Sequence, residues 1–227
     1  MEAEDHLGHR QRLKSRWLKS GRHGFAQHEI LELLLSFAIP RKDTKPLAKA
    51  LLTRFGTLGR VLQSSPARLA SEKGLGEHSA LLLNIIGSLA VEIGHESIIG
   101  TVIQSPADIS EFLLKILGHM QQEQFHLVLL NQQNKVLTVK LIEEGIENRA
   151  QIYLKKIIAA CLDHGATGLI CAHNHPSGQL KFSKADLQLT RGLKSILDPL
   201  EIRLLDHILL AGEGTLSMMS QHPDVFQ

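Results

Sequence analysis

The chain has 227 residues, of which 43% are hydrophobic, 21% charged and 4% aromatic. That balance excludes a disordered or collagen-like polymer and leaves Leu, Ile, Val and Ala to build the core of one large domain or two small ones. The formal net charge of +2 hides an asymmetry: residues 1–98 carry 14 Lys+Arg against 10 Asp+Glu, and residues 99–227 carry 11 against 13, as expected of two units with different partners.

The chain opens Met-Glu-Ala-Glu-Asp, without the basic start and apolar run of a secretory signal. No stretch approaches the roughly 20 apolar residues of a membrane helix. The expectation is a cytoplasmic protein with no membrane contact. Cys161 and Cys171 form no Cys-x-x-Cys pair and read as two reduced, buried thiols.

The first hundred residues read as helices. Ile30, Leu31, Leu33, Leu34 and Leu35 give one helix an apolar face that ends before Pro40. Thr44-Lys45-Pro46 starts the next, with proline in the first turn, where its missing N–H costs little. It runs through Leu47, Leu51 and Leu52 to a stop at Gly56. A short helix follows Pro66, Gly74-Leu75-Gly76 interrupts, and an apolar helix spans roughly Ser79 to Val91. Lys73, Gly74 and Gly76 between two helices resemble a helix-hairpin-helix, whose backbone N–H groups can meet a nucleic-acid phosphate. Arg10, Arg12, Lys14, Arg16, Lys19 and Arg22 add positive charge, so DNA is a candidate partner of this helical domain, residues 1–98.

Gly100, Ser105 and Pro106 mark the passage to a second domain, residues 105–227, where the pattern changes. Ile109 to Leu117 reads as helix, Phe125 to Leu130 and Val136 to Ile142 as strands, and Ile152 to Leu162 as helix. Gly168 to Ala172 reads as a buried strand, Ala185 to Leu197 as helix and Ile202 to Leu210 as a long strand. The mixture implies an α/β sandwich around one central sheet.

The chemistry concentrates in His173-Asn174-His175-Pro176-Ser177-Gly178, followed by Ser183 and Asp186. Two histidines one residue apart at a strand end point the same way, because strand side chains alternate. Pro176 ends the strand, Gly178 lets the chain turn, and Asp186 in the first turn of the next helix can swing back as a third ligand. Three protein ligands with a fourth position left for water form the catalytic rather than the structural zinc pattern. Zinc brings the pKa of such a water to about 7.

His173-x-His175, seven residues, then Ser183-x-x-Asp186 resembles the JAMM zinc motif of the JAB/MPN metalloprotease fold. The string from His173 to Gly178, with Leu205-Asp206-His207-Ile208 downstream, is similar to the RadC branch. So are Gly8-His9-Arg10, Leu33-Leu34-Leu35, Ile39-Pro40-Arg41 and Arg54-Phe55-Gly56, so the resemblance covers nearly the whole chain. It implies a C-terminal JAB/MPN-like α/β sandwich preceded by a small all-α domain, with zinc held by His173, His175 and Asp186. It also implies that Ser183 donates to the oxyanion and that an upstream glutamate moves the proton. Glu123, just before the first strand, fits that role; Glu143, Glu144 and Glu147 are its rivals. Cys171, two residues before His173 on the same strand face, is a candidate fourth ligand. Asp206-His207 is a candidate to orient a ligand imidazole, with a purely structural role as the alternative.

The sequence departs from the RadC pattern at Leu180 and Phe182 in the loop before Ser183, and at Gly145-Ile146. It departs also at Leu154-Lys155 and at Ser217-Met218-Met219-Ser220, read as part of the C-terminal strand. These positions bear on substrate recognition rather than on the metal set. The function expected is zinc-dependent hydrolysis of a peptide or isopeptide bond in a protein or peptide substrate. Two alternatives stand beside it: a DNA-associated nuclease or repair accessory, and an interaction module that keeps its zinc without turnover. The sequence leaves the natural substrate and the oligomeric state open.

Overall fold

The computed structural model describes the backbone of residues 2–118, 120, 122–144 and 150–227, and the side chains of 8–118, 120, 122–142 and 154–227. Ile146 and Glu147 lie outside the described residues, as do the side chains of Glu143 and Glu144. The chain divides into two compact units, Met1–Ala90 and Val91–Gln227.

The first unit is helical: α1 (Glu2–Ser20), α2 (Gln27–Ala38), α3 (Lys45–Phe55), α4 (Leu58–Leu62), α5 (Pro66–Ala70) and the first part of α6 (Glu77–Ile98). Leu31 and Leu35 of α2, Ala48, Leu51 and Phe55 of α3, and Ala80 and Leu83 of α6 share one buried cluster. Gly56 ends α3 at φ +91°, where a side chain would be strained. Several basic residues of α1 and the turn after it are engaged internally. Arg10 donates to the carbonyls of Ile39, Pro40 and Lys42, Arg16 pairs with Glu29 at 2.6 Å, and Arg22 donates to the carbonyl of Phe25.

Helix α6 corrects two expectations. It extends to Ile98, well past Val91, because Glu92 and Glu96 fall on faces that do not interrupt its packing. Its 22 residues are also long and apolar enough, by length and composition, to cross a bilayer, contrary to the sequence reading. Polar residues at Asn84, Ser88 and Glu92 divide the run into shorter apolar pieces along the linear sequence.

The second unit is an α/β sandwich. Five strands, β1 (Gln124–Leu130), β2 (Val136–Glu144), β3 (Gly168–Asn174), β4 (Arg203–Ala211) and β5 (Gly214–Ser217), form one sheet in the order β2-β1-β3-β4-β5. Neighbours are antiparallel except β3 and β4, which run parallel and are connected through α9 (Lys184–Leu197). Parallel neighbours need such a crossover. Both β1 and β3 are buried throughout, as central strands must be when helices cover both faces. Phe125, Leu127, Leu129, Leu169 and Cys171 face a core built with α8 (Ala150–Asp163) and α9. Val128, Leu130, Ile170 and Ala172 face the other core, with α7 (Pro106–Leu117). The segment Ser217-Met218-Met219-Ser220 is not a continuous strand: β5 ends at Ser217, whose hydroxyl caps α10 (Met218–Gln221) by accepting from the Ser220 N–H.

His126 lies on the α7 side of β1, 2% exposed, with its ring 6.0 Å from that of His95. Among the described residues, buried Nδ1 of His126 and Nε2 of His95 find no hydrogen-bond partner. Burial, assisted by His95, pushes the His126 pKa down to about 3 from an ordinary 6.5. The unfolded chain therefore binds a proton that the native state refuses. The stability tied to this group is fully present above pH 6.5 and is lost as the pH falls toward about 3. In denaturant titrations His126 should contribute about 1.4 kcal/mol per pH unit to the fall in unfolding free energy below 6.5, beside His207 and His95, whose pKa values burial also lowers. His126→Gln should flatten that slope; an unchanged slope in the variant would assign it to other groups.

Candidate metal centre

The site forms where β3 ends. Phe125 of β1 pairs with His173 of β3, so both side chains stand on the α9 side of the sheet and their rings stack at 6.3 Å. The backbone stays extended for one more residue: the His175 N–H donates to the carbonyl of Leu210 on β4 at 2.8 Å. His173 and His175 therefore project the same way. Gly178, at φ +80°, then closes a turn by donating to the His175 carbonyl at 3.0 Å. The chain returns through Phe182 to the start of α9. There Ser183 and Asp186 form a reciprocal cap: the Ser183 hydroxyl accepts from the Asp186 N–H at 3.1 Å, and Asp186 Oδ2 accepts from the Ser183 N–H at 2.6 Å.

The donor atoms converge. His173 Nε2 and His175 Nε2 are 3.1 Å apart, and Asp186 reaches them with Oδ1 at 3.5 Å and Oδ2 at 3.9 Å. These three residues are the metal-capable group among the described residues. Two nitrogens about 2.0–2.1 Å from one tetrahedral ion stand about 3.3 Å apart, so the spacing suits such an ion.

The hydrogen bonds around the imidazoles set their tautomers. Thr190 of α9 donates its only hydroxyl hydrogen to the Asp186 carbonyl at 2.7 Å. Its oxygen then accepts from His207 Nδ1 at 2.7 Å, which leaves His207 Nε2 bare. That bare nitrogen, 2.8 Å from His173 Nδ1, accepts its hydrogen, so His173 Nε2 carries a free lone pair. His175 Nδ1 donates to the Gln179 carbonyl at 3.0 Å, which bares its Nε2 as well. Two lone pairs and a carboxylate facing one another call for a cation between them.

The electrostatics agree. Burial pushes the His207 pKa well down, helped by the other imidazoles, so it stays neutral inside the chain of bonds. For Asp186, burial acts upward, but in the metal-free site a proton donated from His173 Nε2, together with the Ser183 cap, holds its carboxyl well below the usual range, and a bound cation would take the place of that proton.

Sequence reasoning missed Thr190 and Asn174. Thr190 lies one helical turn after Asp186, a spacing that could have flagged it. Asn174 points away from the two histidines. It accepts from the Gln124 N–H at 2.9 Å and donates to the carbonyls of Gln122 at 3.0 Å and Met120 at 3.3 Å. It thereby brackets Glu123. Extending the β1–β3 register two residues beyond its last pair, Phe125–His173, would set the backbone of exposed Glu123 opposite His175. The register places Glu143 across β1 from Phe125, one strand further from His173.

Of the pair Asp206-His207, only His207 supports a ligand imidazole. Asp206 accepts from the Ser217 hydroxyl at 2.6 Å and the Met219 N–H at 2.9 Å and so fastens α10 to β4. Cys171 is not part of the metal-capable group; it is fully buried and burial pushes its thiol pKa well up. Phe182 packs its ring against His173 and His207 at 6.2 and 5.8 Å, an apolar wall for the site, while Leu180 is largely exposed. Leu154 packs against the core on this side of the sheet. In the first unit, Lys73, Gly74 and Gly76 lie between α5 and α6, with Leu75 buried and Gly74 at φ +95°.

A family profile described as the RadC-like JAB domain matches residues 103–223. The chain belongs to the RadC family. A UPF0758 protein of Fusobacterium nucleatum subsp. nucleatum is 33% identical over 229 residues, covering 97% of this chain and 99% of the relative. The RadC-like JAB domain spans the sheet, the paired histidines and the start of α9 together, so the metal-capable group falls inside the matched region.

Proposed function

We propose that this RadC-family protein is a zinc-dependent hydrolase that cleaves a peptide or isopeptide bond. The observation that carries the reading is the pair of bare Nε2 atoms of His173 and His175, aimed with the Asp186 carboxylate at one point. The donor set suits zinc, since two imidazoles and a carboxylate leave one position open. Zinc bound there would polarise the scissile carbonyl and make hydroxide available near neutral pH.

The chain's own groups supply the rest. Glu123 takes the proton from the attacking water and passes it to the leaving amine. The Ser183 hydroxyl accepts the Asp186 N–H, which leaves its own hydrogen free to donate to the oxyanion of the attacked carbonyl. Capping and catalysis use different parts of the same hydroxyl. His207 and Thr190 hold the His173 ring.

The test is metal analysis followed by assays on peptide, isopeptide and DNA substrates, with and without zinc. About one zinc per chain and amide cleavage that a chelator abolishes support the reading; zinc content with no amide cleavage from any substrate counts against it. Ser183→Ala gives a sharper expectation. It should lower stability by about 0.5–2 kcal/mol through the lost cap. It should also cut kcat by about 10²–10³ at unchanged zinc content. A variant that melts lower yet turns over normally would leave Ser183 as a cap alone.

A second reading concerns the first unit. The hairpin between α5 and α6, with exposed Lys73, favours a nucleic-acid contact there. Binding to DNA that weakens steeply with salt, and again in Lys73→Glu, would support it.

A further inference from the structure

We propose that the exposed face of α6 pairs with α6 of a second copy of this chain, antiparallel about a twofold axis. The helix is apolar enough to span a bilayer, yet only 17% of its most apolar stretch is buried. Leu81, Ile85, Leu89 and Ile93 are exposed by 49%, 46%, 55% and 65%. At intervals of four residues they make one ridge along the helix.

The opposite face shows why the cover is not lipid. Ala80 and Leu83 are fully buried in the helical core. Asn84 donates to the Ser64 carbonyl at 3.2 Å, and a Cβ on Gly87 would stand 2.2 Å from the Leu62 carbonyl oxygen. A helix fastened by one face against polar backbone does not cross a membrane.

The spacing selects the partner. Residues 78, 81, 85, 89, 93 and 96 follow intervals of 3, 4, 4, 4 and 3, the same read from either end. A twofold axis beside the middle of the ridge brings Ile85 against Leu89 of the other copy, with Leu81 and Ile93 next outward. Such an isologous contact uses one patch twice. The register sets exposed Glu96 opposite the other copy's exposed His78 and keeps the Glu92 and Glu96 of the two copies apart.

The area suffices. Ile86 carries the ridge into an open apolar groove of about 580 Å³ bordered by Trp17, Leu18, Phe37, Leu58 and Leu62. Leu18 and Phe37 are 86% and 65% exposed. Ridge and groove edge together expose on the order of 700 Å² of mostly apolar surface, near the ~800 Å² that one partner brings to a standard interface. Monomers seldom leave so large a patch to water.

The test is the molar mass of the full chain in solution. Light scattering on a sizing column at tens of micromolar should give twice the 25.1 kDa of one chain. The double substitution Ile85→Glu, Leu89→Glu should give the single mass with an unchanged far-ultraviolet circular dichroism spectrum, since both side chains face outward, and should lose the concentration dependence of melting that a dimer shows. Because Cys161 and Cys171 are buried, engineered thiols report the register. The I85C/L89C variant should form an intermolecular disulfide under mild oxidation, and L81C alone should not. A monomeric wild type, a dimer that survives both glutamates, or L81C cross-linking as fast as I85C/L89C would overturn the proposal. So would a monomer that sediments with phosphatidylglycerol vesicles through this face.

Discussion

Glu123→Gln is expected to keep its zinc and its fold while hydrolysis falls by about 10²–10⁴, the usual contribution of a positioned general base. The amide matches the carboxylate in size but cannot accept the proton of the attacking water. The residue is exposed at the start of β1, so stability should change little. Activity, zinc content and melting temperature measured on one preparation decide the matter. Full activity in Glu123→Gln with loss in Glu143→Gln or Glu147→Gln would move the role to one of those residues.

His173→Ala is expected to empty the centre and abolish turnover, because His175 and Asp186 alone are too few ligands. It should also destabilise the apoprotein. His173 is 1% exposed, and its removal leaves His207 Nε2 buried without its donor, at a cost of about 1–3 kcal/mol. His207→Phe separates the two effects: it leaves all three ligands in place and should weaken zinc binding about 10–100-fold. Thr190→Val should move zinc affinity in the same direction. Zinc titration against a chromophoric chelator measures all three. Equal zinc affinity in wild type and His207→Phe would deny His207 any positioning role.

The metal-capable group was legible because it rests on local rules. Alternation along a strand aligns His173 with His175, and the capping pattern at Ser183-x-x-Asp186 fixes where the next helix begins. Non-local contacts were legible only in part: Asp206-His207 is a candidate pair in the sequence, but which of the two meets an imidazole is not written there. His207 meets His173 across a parallel pairing 34 residues apart, and no periodicity records which strand neighbours which. Asn174 carries no local signal because its partners lie 50 to 54 residues upstream. In the helical half the apolar runs mark the helices but not where α6 ends. Its buried and exposed faces are both apolar, so the pattern does not show which side the core will take.

Asn174 has a consequence for timing. Its amide stands in for ladder bonds beyond the end of β1, tying residues on either side of Glu123 to the strand that carries both histidines. The carboxylate and the imidazoles are thus mounted on one stiff frame rather than meeting by loop diffusion. On the hydrolase reading proposed above, little conformational entropy would remain to be removed on substrate binding, and Glu123 and the imidazoles would keep a high effective molarity.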